Sequence, residues 1–408
     1  MSTALDVLRR ALQEGAVDAL APGYARNAVL DASLPGGRRR HDGRAAIMAE
    51  LARWWDGPGE DVSFEAELYP GGAALWTERD GARLRHYVHL SGDLIVRHWI
   101  YSARPRGGFG GNSGAVVERR DGLIVKHVVP LDGWMGRATR DIDGRSARLW
   151  LDGQMARFPD ELDTAVERVE ADGDGYRIHM RDIADRLLGD EQRLELADVH
   201  AVFGAAAAMH REFNGEDVPS AARLEDFLTI TSPATAARET DEVDLPPKQI
   251  PAAWDAFALA APADVAAGVA ALVDDPAPLA AALARDGLTL IHGDLRDDNL
   301  GVLGSEVSLI DWDLAAMATP GVELVWFLLQ DAWRTDATRQ ELVAAAFAAE
   351  GDLLDDRGLA LGALASFCQY GWILGHSSVV HPDPRERAWA AAELAFWTPW
   401  VRLGLEAL

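Results

Sequence analysis

The residues that decide the fold form the stretch TLIHGDLRDDNLGVLGSEVSLIDWDLA, which runs from position 289 to position 315. Within it, the apolar runs 300–303 and 307–310 lie on either side of a Gly-Ser-Glu turn. Short apolar runs separated by a turn that contains glycine predict two antiparallel strands joined as a β-hairpin. Because a hairpin of this size brings its two ends together, the residues just before and just after it are predicted to meet.

Those two residues, together with one on the preceding loop, are the candidates for chemistry. Asn299 lies at the entry of the hairpin, Asp311 at its exit, and Asp294 five positions before Asn299. An amide oxygen and a carboxylate are hard oxygen ligands of the kind that magnesium prefers. The spacing therefore predicts a magnesium site at Asn299 and Asp311, with Asp294 facing the same cavity as a candidate base. A calcium-like acidic loop is the alternative, because Asp297 and Asp298 lie in the same stretch.

The order of these residues is similar to that of protein-kinase-like phosphotransferases. With Gly293 after His292, and with IDWD in place of DFG, residues 106–408 resemble the aminoglycoside phosphotransferase and choline kinase family. The resemblance implies a bilobal fold with a small β-rich lobe and a large, mainly helical lobe. It also implies phosphoryl transfer from ATP or GTP, with Mg²⁺, to a hydroxyl of a small molecule, with Asp294 accepting the hydroxyl proton.

A glycine-rich motif, GGFGGNSGAVVERRDGLIVKHV, occupies positions 107–128 upstream. A flexible glycine turn lets backbone N–H groups approach phosphates. The candidate nucleotide-binding residues in this turn are Gly110, Gly111, Asn112 and Ser113. Lys126 follows on the apolar run 123–128, and the order of loop, strand and lysine favours a phosphate ligand over an edge charge. By resemblance, Lys126 binds the α- and β-phosphates.

One part of the family pattern is missing after Lys126. Relatives place a glutamate on the next helix to pair with the lysine, but residues 136–158 contain none. Asp141 and Asp143 are the possible substitutes, and both are equally typical of a solvated helix surface. If no carboxylate reaches Lys126, the alternative to an active enzyme is a pseudokinase that binds nucleotide in a regulatory role.

Further predictions concern the segments around these residues. The run 176–188 resembles the strand and linker between the two lobes, so the backbone of Met180 and Asp182 is expected to contact adenine. An ordinary edge strand is the alternative for this run. His210 and His376 are predicted to be structural. Relatives often carry an aspartate where Glu323 lies, bracing the metal loop from outside.

The first 104 residues predict a different kind of domain. Helical patterns at 4–21 and 45–55 precede a series of extended runs, which favours an α+β cone with a curled antiparallel sheet. On this pattern and on HDGRAAIMAELARWW, residues 41–55, the segment resembles the SnoaL-like branch of the nuclear-transport-factor-like fold. The fold class is therefore α+β, with a SnoaL-like domain at 1–104, a kinase-like small lobe at 105–182 and a large lobe at 183–408.

Polar residues on the strands of the first domain leave two roles open for it. They are Arg85, His86, Tyr87, His89, Arg97, His98 and Tyr101. Strand alternation places Arg85, Tyr87 and His89 on one face and His86 on the other. The domain is expected to serve docking or homodimerisation, and the alternative is a small-molecule isomerase or cyclase to which the kinase domain is accessory.

Composition excludes several classes of function. The chain has 39 Lys and Arg against 65 Asp and Glu, so nucleic-acid binding is not expected. The excess acid lies in residues 105–408, which carry 26 basic and 51 acidic side chains, against 13 and 14 in the first 104. Acidic residues after the metal loop are compatible with a cationic acceptor such as an amino sugar or amino alcohol, but they are more typical of solvated helix faces. They are Asp331, Asp336, Glu341 and Asp383.

The remaining features concern compartment and connections. A single cysteine, Cys368, gives no intrachain disulfide, and the start of the chain has no signal-peptide pattern, so a cytoplasmic protein is expected. The uncharged run 358–382 is interrupted by glycines and polar residues, which predicts a buried helix rather than a membrane span. Residues 229–250, with Ser-Pro and Pro-Pro pairs, predict a long surface connection.

Overall fold

The chain folds into two compact units, Met1–Gly110 and Gly111–Leu408. The computed structural model describes residues 7–8, 11, 17–34, 37–54, 65–69, 72–79, 82–103, 115–120, 122–189, 192–239, 245–285, 287–381 and 383–408. Both units combine helices with sheets, which confirms the predicted α+β fold class.

In its described residues the first unit has a six-stranded sheet, the α-helix α1 at Arg44–Trp54, and further helical residues at Val7, Leu8 and Ala11. Its strands are β1 Tyr24–Leu34, β2 Gly37–Asp42, β3 Glu65–Tyr69, β4 Gly72–Arg79, β5 Ala82–Ser91 and β6 Leu94–Ala103. They lie in the order β2-β1-β6-β5-β4-β3. The core includes Ile47 and Leu51 of α1 with Leu30, Val88 and Ile100 of the sheet, all fully buried.

The order of elements in the first unit differs in part from the sequence prediction of two helical stretches followed by strands. Val7, Leu8 and Ala11, in the first predicted stretch, are helical as expected. A 3₁₀ turn at Val17–Gly23 leads directly into β1 and β2, and α1 comes only afterwards. Ala28, Leu30 and Ala32 are buried at a spacing of two, so β1 has the alternation of a half-buried strand. Two of these three buried side chains are small alanines. β1 also pairs in parallel with β6, so the sheet is mixed and not wholly antiparallel.

The small lobe of the second unit is a four-stranded antiparallel sheet with two short helices. The elements are β7 Val116–Arg120, β8 Leu123–Val128, α2 Trp134–Ala138, α3 Arg145–Leu151, β9 Leu162–Asp163, β10 Val166–Asp172 and β11 Gly175–Arg181. The order β10-β11-β8-β7 gives β8 a partner on both sides. β9 lies outside this sheet and pairs with the large lobe.

The large lobe is mainly helical around one continuous core. Its helices are α4 Leu196–Phe213, α5 Leu224–Leu228, α6 Pro233–Arg238, α7 Leu245–Ala260, α8 Ala263–Asp274, α9 Ala277–Ala284, α10 Pro320–Asp331, α11 Arg339–Glu350, α12 Asp356–Val379 and α13 Pro384–Glu406. Capping boxes fix the starts of two of them, through Glu195 and Asp198 at α4 and through Thr338 and Glu341 at α11.

The predicted hairpin lies at the junction of the two lobes. β13 Leu300–Leu303 and β14 Glu306–Leu309 pair antiparallel, and β9 adds to β14 in parallel. A second pair, β12 Thr289–Ile291 with β15 Ala316–Ala318, holds the chain just before and just after the hairpin. The hairpin prediction is therefore confirmed, and the paired flanks fix where its ends lie.

The predicted surface connection at 229–250 is wrong for the residues that the structure describes there. α6 occupies 233–238, α7 begins at Leu245, and Ser232, Thr235 and Ile250 are buried. The Ser-Pro pair is a helix start, because Ser232 accepts a hydrogen bond from the Thr235 N–H with proline in the first turn. Pro-Pro falls likewise in the first turn of α7, where proline removes no helical hydrogen bond.

The uncharged run falls in α12, as a core helix. Among the described helices, α12 is by itself long and apolar enough to cross a membrane, and 89% of its most apolar window is buried inside the protein. α12 packs against α7, α10 and α13. The prediction of a buried helix is confirmed.

Candidate active site

The loop that carries Asp294 depends on the glycine before it. Gly293 follows β12 with a φ of +80°, and a Cβ at this position would meet the carbonyl oxygen of Leu314. Glycine alone tolerates both the left-handed backbone and the close approach. The neighbouring His292 is fully buried, and its ring N–H donates to the carbonyl oxygen of Ile310 at 2.9 Å. In the HGD sequence, the histidine and the glycine thus allow the close packing of the loop, and this packing places Asp294 at the lobe junction.

Asp294 is held by two donors from its own loop. The Nδ2 of Asn299 donates to the Asp294 carboxylate at 3.0 Å and to its main-chain carbonyl at 2.9 Å. The Nε of Arg296 lies 3.2 and 3.3 Å from the two carboxylate oxygens, and this arginine also pairs with Asp298 at 2.7 Å. The carboxylate is therefore fixed in place while its side chain keeps 17% of its surface exposed.

Asn299 and Asp311 converge as the hairpin predicted. The N–H of Ile310 donates to the main-chain carbonyl of Asn299 at 3.0 Å, which joins the entry of the hairpin to its exit. Asp311 adopts left-handed backbone angles, φ 66° and ψ 64°, which cost a non-glycine residue conformational energy and cluster at functional sites. Among the described residues no donor bonds the Oδ1 of Asn299, so this amide oxygen and the Asp311 carboxylate are the oxygen ligands that the ends of the hairpin offer to a hard cation.

Lys126 lies on β8, which is a central strand, so it is not an edge charge. Its Nζ is 2.6 Å from Oδ1 of Asp311 and 2.7 Å from Oδ2 of Asp313. Its side chain is 7% exposed, against 31% for Asp311 and 15% for Asp313. These three residues, the lysine cluster, join the small lobe to the end of the hairpin.

The carboxylate that pairs with Lys126 does not come from the following helix. Asp141 accepts the backbone N–H of Arg145 at 2.8 and 3.0 Å and so caps the start of α3, while Asp143 is exposed. In their place, Asp313 reaches the lysine. The hydroxyl of Ser146, on α3, donates to the other oxygen of Asp313, which ties the helix to the lysine indirectly.

The charges of the lysine cluster are set by burial and by each other. Burial raises the pKa of Asp311, and the neighbouring Asp313 adds to this against the opposing charge of Lys126. Burial would also raise the pKa of Asp313, but Lys126 and the Ser146 hydroxyl outweigh it and lower that pKa to about 2. The two carboxylates therefore raise the pKa of Lys126 although burial opposes them. The cluster holds a charged lysine and, in Asp313, a firmly ionised partner.

The acidic-loop alternative finds no support in the described residues. Asp297 accepts from the buried Arg334, and Asp298 pairs with Arg296, so the two carboxylates are engaged by different cations. No group of three or more His, Cys, Asp or Glu side chains in the described parts of the chain is arranged to hold a metal. Arg334 also bonds Asp331 at 3.1 Å and the carbonyl oxygens of Gly189 and Gln192, which ties the loop to the inter-lobe segment.

The other predicted nucleotide-binding residues divide into two groups. Met180 lies in β11 and Asp182 just after it, where the chain leaves the small lobe, and Asp182 pairs with Arg119 at 2.6 Å. This placement is the one expected for the inter-lobe linker. Gly110, Gly111, Asn112 and Ser113 lie outside the described residues.

A second buried cluster braces the loop from behind. His210 lies between Glu350, 2.7 Å from its Nδ1, and Glu323, 2.9 Å from its Nε2, and all three side chains are fully buried. The other oxygen of Glu323 accepts the N–H of Gly293 at 3.0 Å. Burial would lower the pKa of His210, but the two glutamates raise it to about 10. This histidine cluster links α4, α10 and α11 to the loop of Asp294, with both His210 and Glu323 in supporting positions.

The first unit buries a hydrogen-bonded chain of its own. His98 bonds the hydroxyl of Tyr24 through Nδ1 and lies 3.0 Å from Nδ1 of His86 through Nε2, and all three residues are fully buried. Burial lowers the pKa of His86 to about 3, and burial with the charge of His86 lowers that of His98. Both imidazoles are therefore neutral at pH 7, and both residues belong to the buried core of the first unit. The side chains of Arg85, Tyr87, His89, Arg97 and Tyr101 lie outside the described residues.

Asp313, Ser146 and Arg296 were not identified from the sequence as functional residues. The signal for Asp313 was the second aspartate of IDWD, and a 3₁₀ turn at Trp312–Leu314 brings it back toward Lys126. The signal for Arg296 was a cation two positions after Asp294. Ser146 carried no signal, because a serine inside a helix has no pattern that specifies a carboxylate partner.

The chain has similarities to a known protein family and to several solved structures. Residues 165–361 match the model of the phosphotransferase enzyme family. A search of the curated proteins finds no significant match. Among solved structures, a choline/ethanolamine kinase family protein from Mesorhizobium loti is 16% identical, with a TM-score of 0.41, and the match covers 75% of this chain and 95% of that one.

Two further solved structures match different parts of the chain. An aminoglycoside phosphotransferase from Streptomyces rimosus, solved with ADP and streptomycin, is 19% identical over 64% of this chain and 94% of its own, with a TM-score of 0.40. An NTF-2 like protein of unknown function from Burkholderia xenovorans is 19% identical over 29% of this chain and 93% of its own, with a TM-score of 0.23. The family match confirms the resemblance drawn from the sequence: residues 165–361, which include Asp294, Asn299 and Asp311, carry the pattern of the phosphotransferase enzyme family.

Proposed function

We propose that the protein is a magnesium-dependent kinase that transfers a phosphoryl group from ATP or GTP to a hydroxyl of a small molecule. The observation that supports this proposal is the meeting of Lys126, Asp294, Asn299 and Asp311 at the ends of one hairpin. A phosphate-binding cation, a candidate base and two oxygen ligands at one point are what phosphoryl transfer requires of a protein.

Each residue has a role that follows from its position. Lys126 binds the nucleotide phosphates, because it is a buried cation of the small lobe whose Nζ lies at the hairpin exit beside Asp311. Asn299 and Asp311 hold the metal through their oxygens, and Mg²⁺ when bound supplies charge neutralisation on the phosphates. Asp294, fixed by Asn299 and Arg296, orients the acceptor hydroxyl and takes its proton at the carboxylate.

The acceptor is proposed only as a small-molecule alcohol. The four acidic residues that the sequence offered for a cationic acceptor are engaged elsewhere in the structure. Asp331 bonds Arg334, Asp336 pairs with Arg193 at 2.5 Å, and Glu341 and Asp383 cap helices. A charge preference of the acceptor therefore has no support from them, and neutral alcohols belong beside amino sugars and amino alcohols in any test. The same proposal includes a cytoplasmic location and a dimer formed through the first unit.

A thermal-shift panel tests the proposal. The intact protein is heated with ATP, GTP or ADP, each with and without Mg²⁺, and then with each acceptor added to the nucleotide complex. We expect a nucleotide to raise Tm only when Mg²⁺ is present, and one acceptor class to raise it further and to yield a phosphomonoester. If no nucleotide raised Tm under any condition, the proposed function would be wrong.

A further inference from the structure

The lysine cluster contains two carboxylates, and they are not equivalent. Asp311 lies at the hairpin exit beside Asn299 and is the more exposed of the two, at 31% against 15% for Asp313. Asp313 uses both of its oxygens, because Oδ2 is 2.7 Å from Lys126 and Oδ1 accepts the hydroxyl of Ser146. Asp311 is thus the carboxylate with room to turn toward a metal, and Asp313 is the one that is held.

Helix α3 fixes Asp313 from two sides. Ser146 and Arg145 are adjacent on this helix and are 5% and 2% exposed. Ser146 donates to the Asp313 carboxylate, and the guanidinium of Arg145 donates to the Asp313 carbonyl oxygen and to Thr139. Asp141 in turn caps α3 at the N–H of Arg145. Although α3 carries no glutamate, it is therefore connected to Lys126 indirectly, because Asp313 contacts both.

We infer that Asp313, held by Ser146, is the positioning residue for Lys126 and replaces the glutamate that relatives place on the helix. The inference rests on the proposed function. When Asp311 serves a metal beside Asn299, Lys126 keeps one charged hydrogen-bond partner and stays aimed at the phosphates. A charge-assisted hydrogen bond of this kind is worth enough to change ligand affinity by roughly 10- to 100-fold.

The experiment moves the carboxylate from the loop to the helix. Asp313→Ala removes it, and the double variant Asp313→Ala with Ser146→Glu returns it from α3, with the same total of side-chain heavy atoms at the two positions. ADP affinity is measured by calorimetry with Mg²⁺, together with KM for ATP, KM for the acceptor and Tm. We expect Asp313→Ala to weaken ADP binding about tenfold or more and to raise KM for ATP. KM for the acceptor should stay unchanged, and the double variant should recover most of the ADP affinity.

A purely structural role for Asp313 would give a different pattern. It would lower Tm and affect both substrates alike, and a carboxylate at position 146 would not restore nucleotide binding. Wild-type ADP affinity in Asp313→Ala, or no recovery in a double variant that keeps the Tm of the single one, would overturn the inference. Asp313→Asn keeps the size and removes the charge, so it decides the question if the double variant does not fold: lost affinity supports the inference and wild-type affinity overturns it.

Two experimental outcomes distinguish a failure of this inference from a failure of the proposed function. If the wild-type protein binds no nucleotide, the proposed function itself fails. If the wild type binds and transfers, but Asp313→Ala does so equally well, the inference alone fails. Asp143→Asn serves as the control, because it removes one negative charge near the start of α3 from an exposed side chain.

Discussion

The second unit contains the same motif twice, one cation between two carboxylates, in two different settings. In the lysine cluster, Asp311 and Asp313 flank Lys126 and keep 31% and 15% of their side-chain surface exposed. In the histidine cluster, Glu323 and Glu350 flank His210 and all three side chains are sealed from solvent. Similar chemistry is thus open to a ligand in one place and closed in the other.

This difference in exposure suits the lysine cluster to ligand binding and the histidine cluster to structural support. A ligand can compete for the carboxylates of the lysine cluster, because Asp311 has an exposed face and the unbonded amide oxygen of Asn299 lies at the same end of the hairpin. The side chains of the histidine cluster have no exposed surface, so their charges serve to fix α4, α10 and α11 around Gly293. We therefore expect changes near the lysine cluster to affect ligands and changes in the histidine cluster to affect stability.

The largest effect is expected from Asp294→Asn, which tests the open side of this comparison. Removing a general base typically costs about 10² to 10⁴ in rate. The variant should lose transfer to that extent while nucleotide affinity and Tm stay near the wild type, because Asn keeps the size of the side chain. Single-turnover transfer and calorimetry measure the two quantities. Full activity in the variant would remove Asp294 from the mechanism.

His210→Ala tests the structural role of the buried histidine cluster. Taking away the cation leaves Glu323 and Glu350 buried without it, and breaking a buried ion pair in this way costs about 3–5 kcal/mol of unfolding free energy. Denaturant unfolding measures the loss. His200→Ala is the matched control, because His200 is an exposed histidine on the same helix. Equal stability of the two variants would show that the histidine cluster is not a brace.

The pH dependence of stability sharpens the same contrast. The folded-state pKa of His210, about 10, lies above the ordinary value of 6.5 for the unfolded chain. The contribution of this histidine is therefore fully present below about pH 6.5 and is lost as pH rises through about 10. Unfolding free energies of the wild type should fall more between pH 8 and about pH 10.5 than those of His210→Ala. Parallel curves would mean that His210 is not charged in the folded protein.

The smallest effect is expected from Asp143→Asn. The sequence analysis identified Asp143 as a possible partner for Lys126. Asp143 is exposed, and exposed substitutions usually change stability by no more than about 0.5 kcal/mol. ADP affinity, measured as for the other variants, should equal that of the wild type. A clear loss of ADP affinity would return Asp143 to the site and weaken the case for Asp313.

The sequence predicted the parts of this structure that depend on local spacing. The hairpin, the convergence of Asn299 with Asp311 and the strand that carries Lys126 follow from turn residues and apolar runs a few positions long. The core helix α12 followed from its composition. These features need little information from the rest of the chain.

The features that the sequence did not predict depend on distant contacts. The bond from Ser146 to Asp313 joins residues 167 positions apart, and only the tertiary fold brings them together. β1 was missed because small buried residues, Ala28 and Ala32, weaken the alternation that identifies a strand. Ser232-Pro233 signals a turn and a helix start equally well, and packing against α7 and α12 decides between them.

The most direct test of the account is the magnesium dependence of nucleotide binding to the intact protein. ADP is titrated into the wild type and into Asp311→Ala, each with Mg²⁺ and with a chelator. We predict saturable binding by the wild type that weakens by more than about tenfold without Mg²⁺, and an Asp311→Ala variant that no longer responds to the metal. Wild-type affinity that is the same with and without Mg²⁺, or Asp311→Ala that responds as the wild type does, would contradict the account.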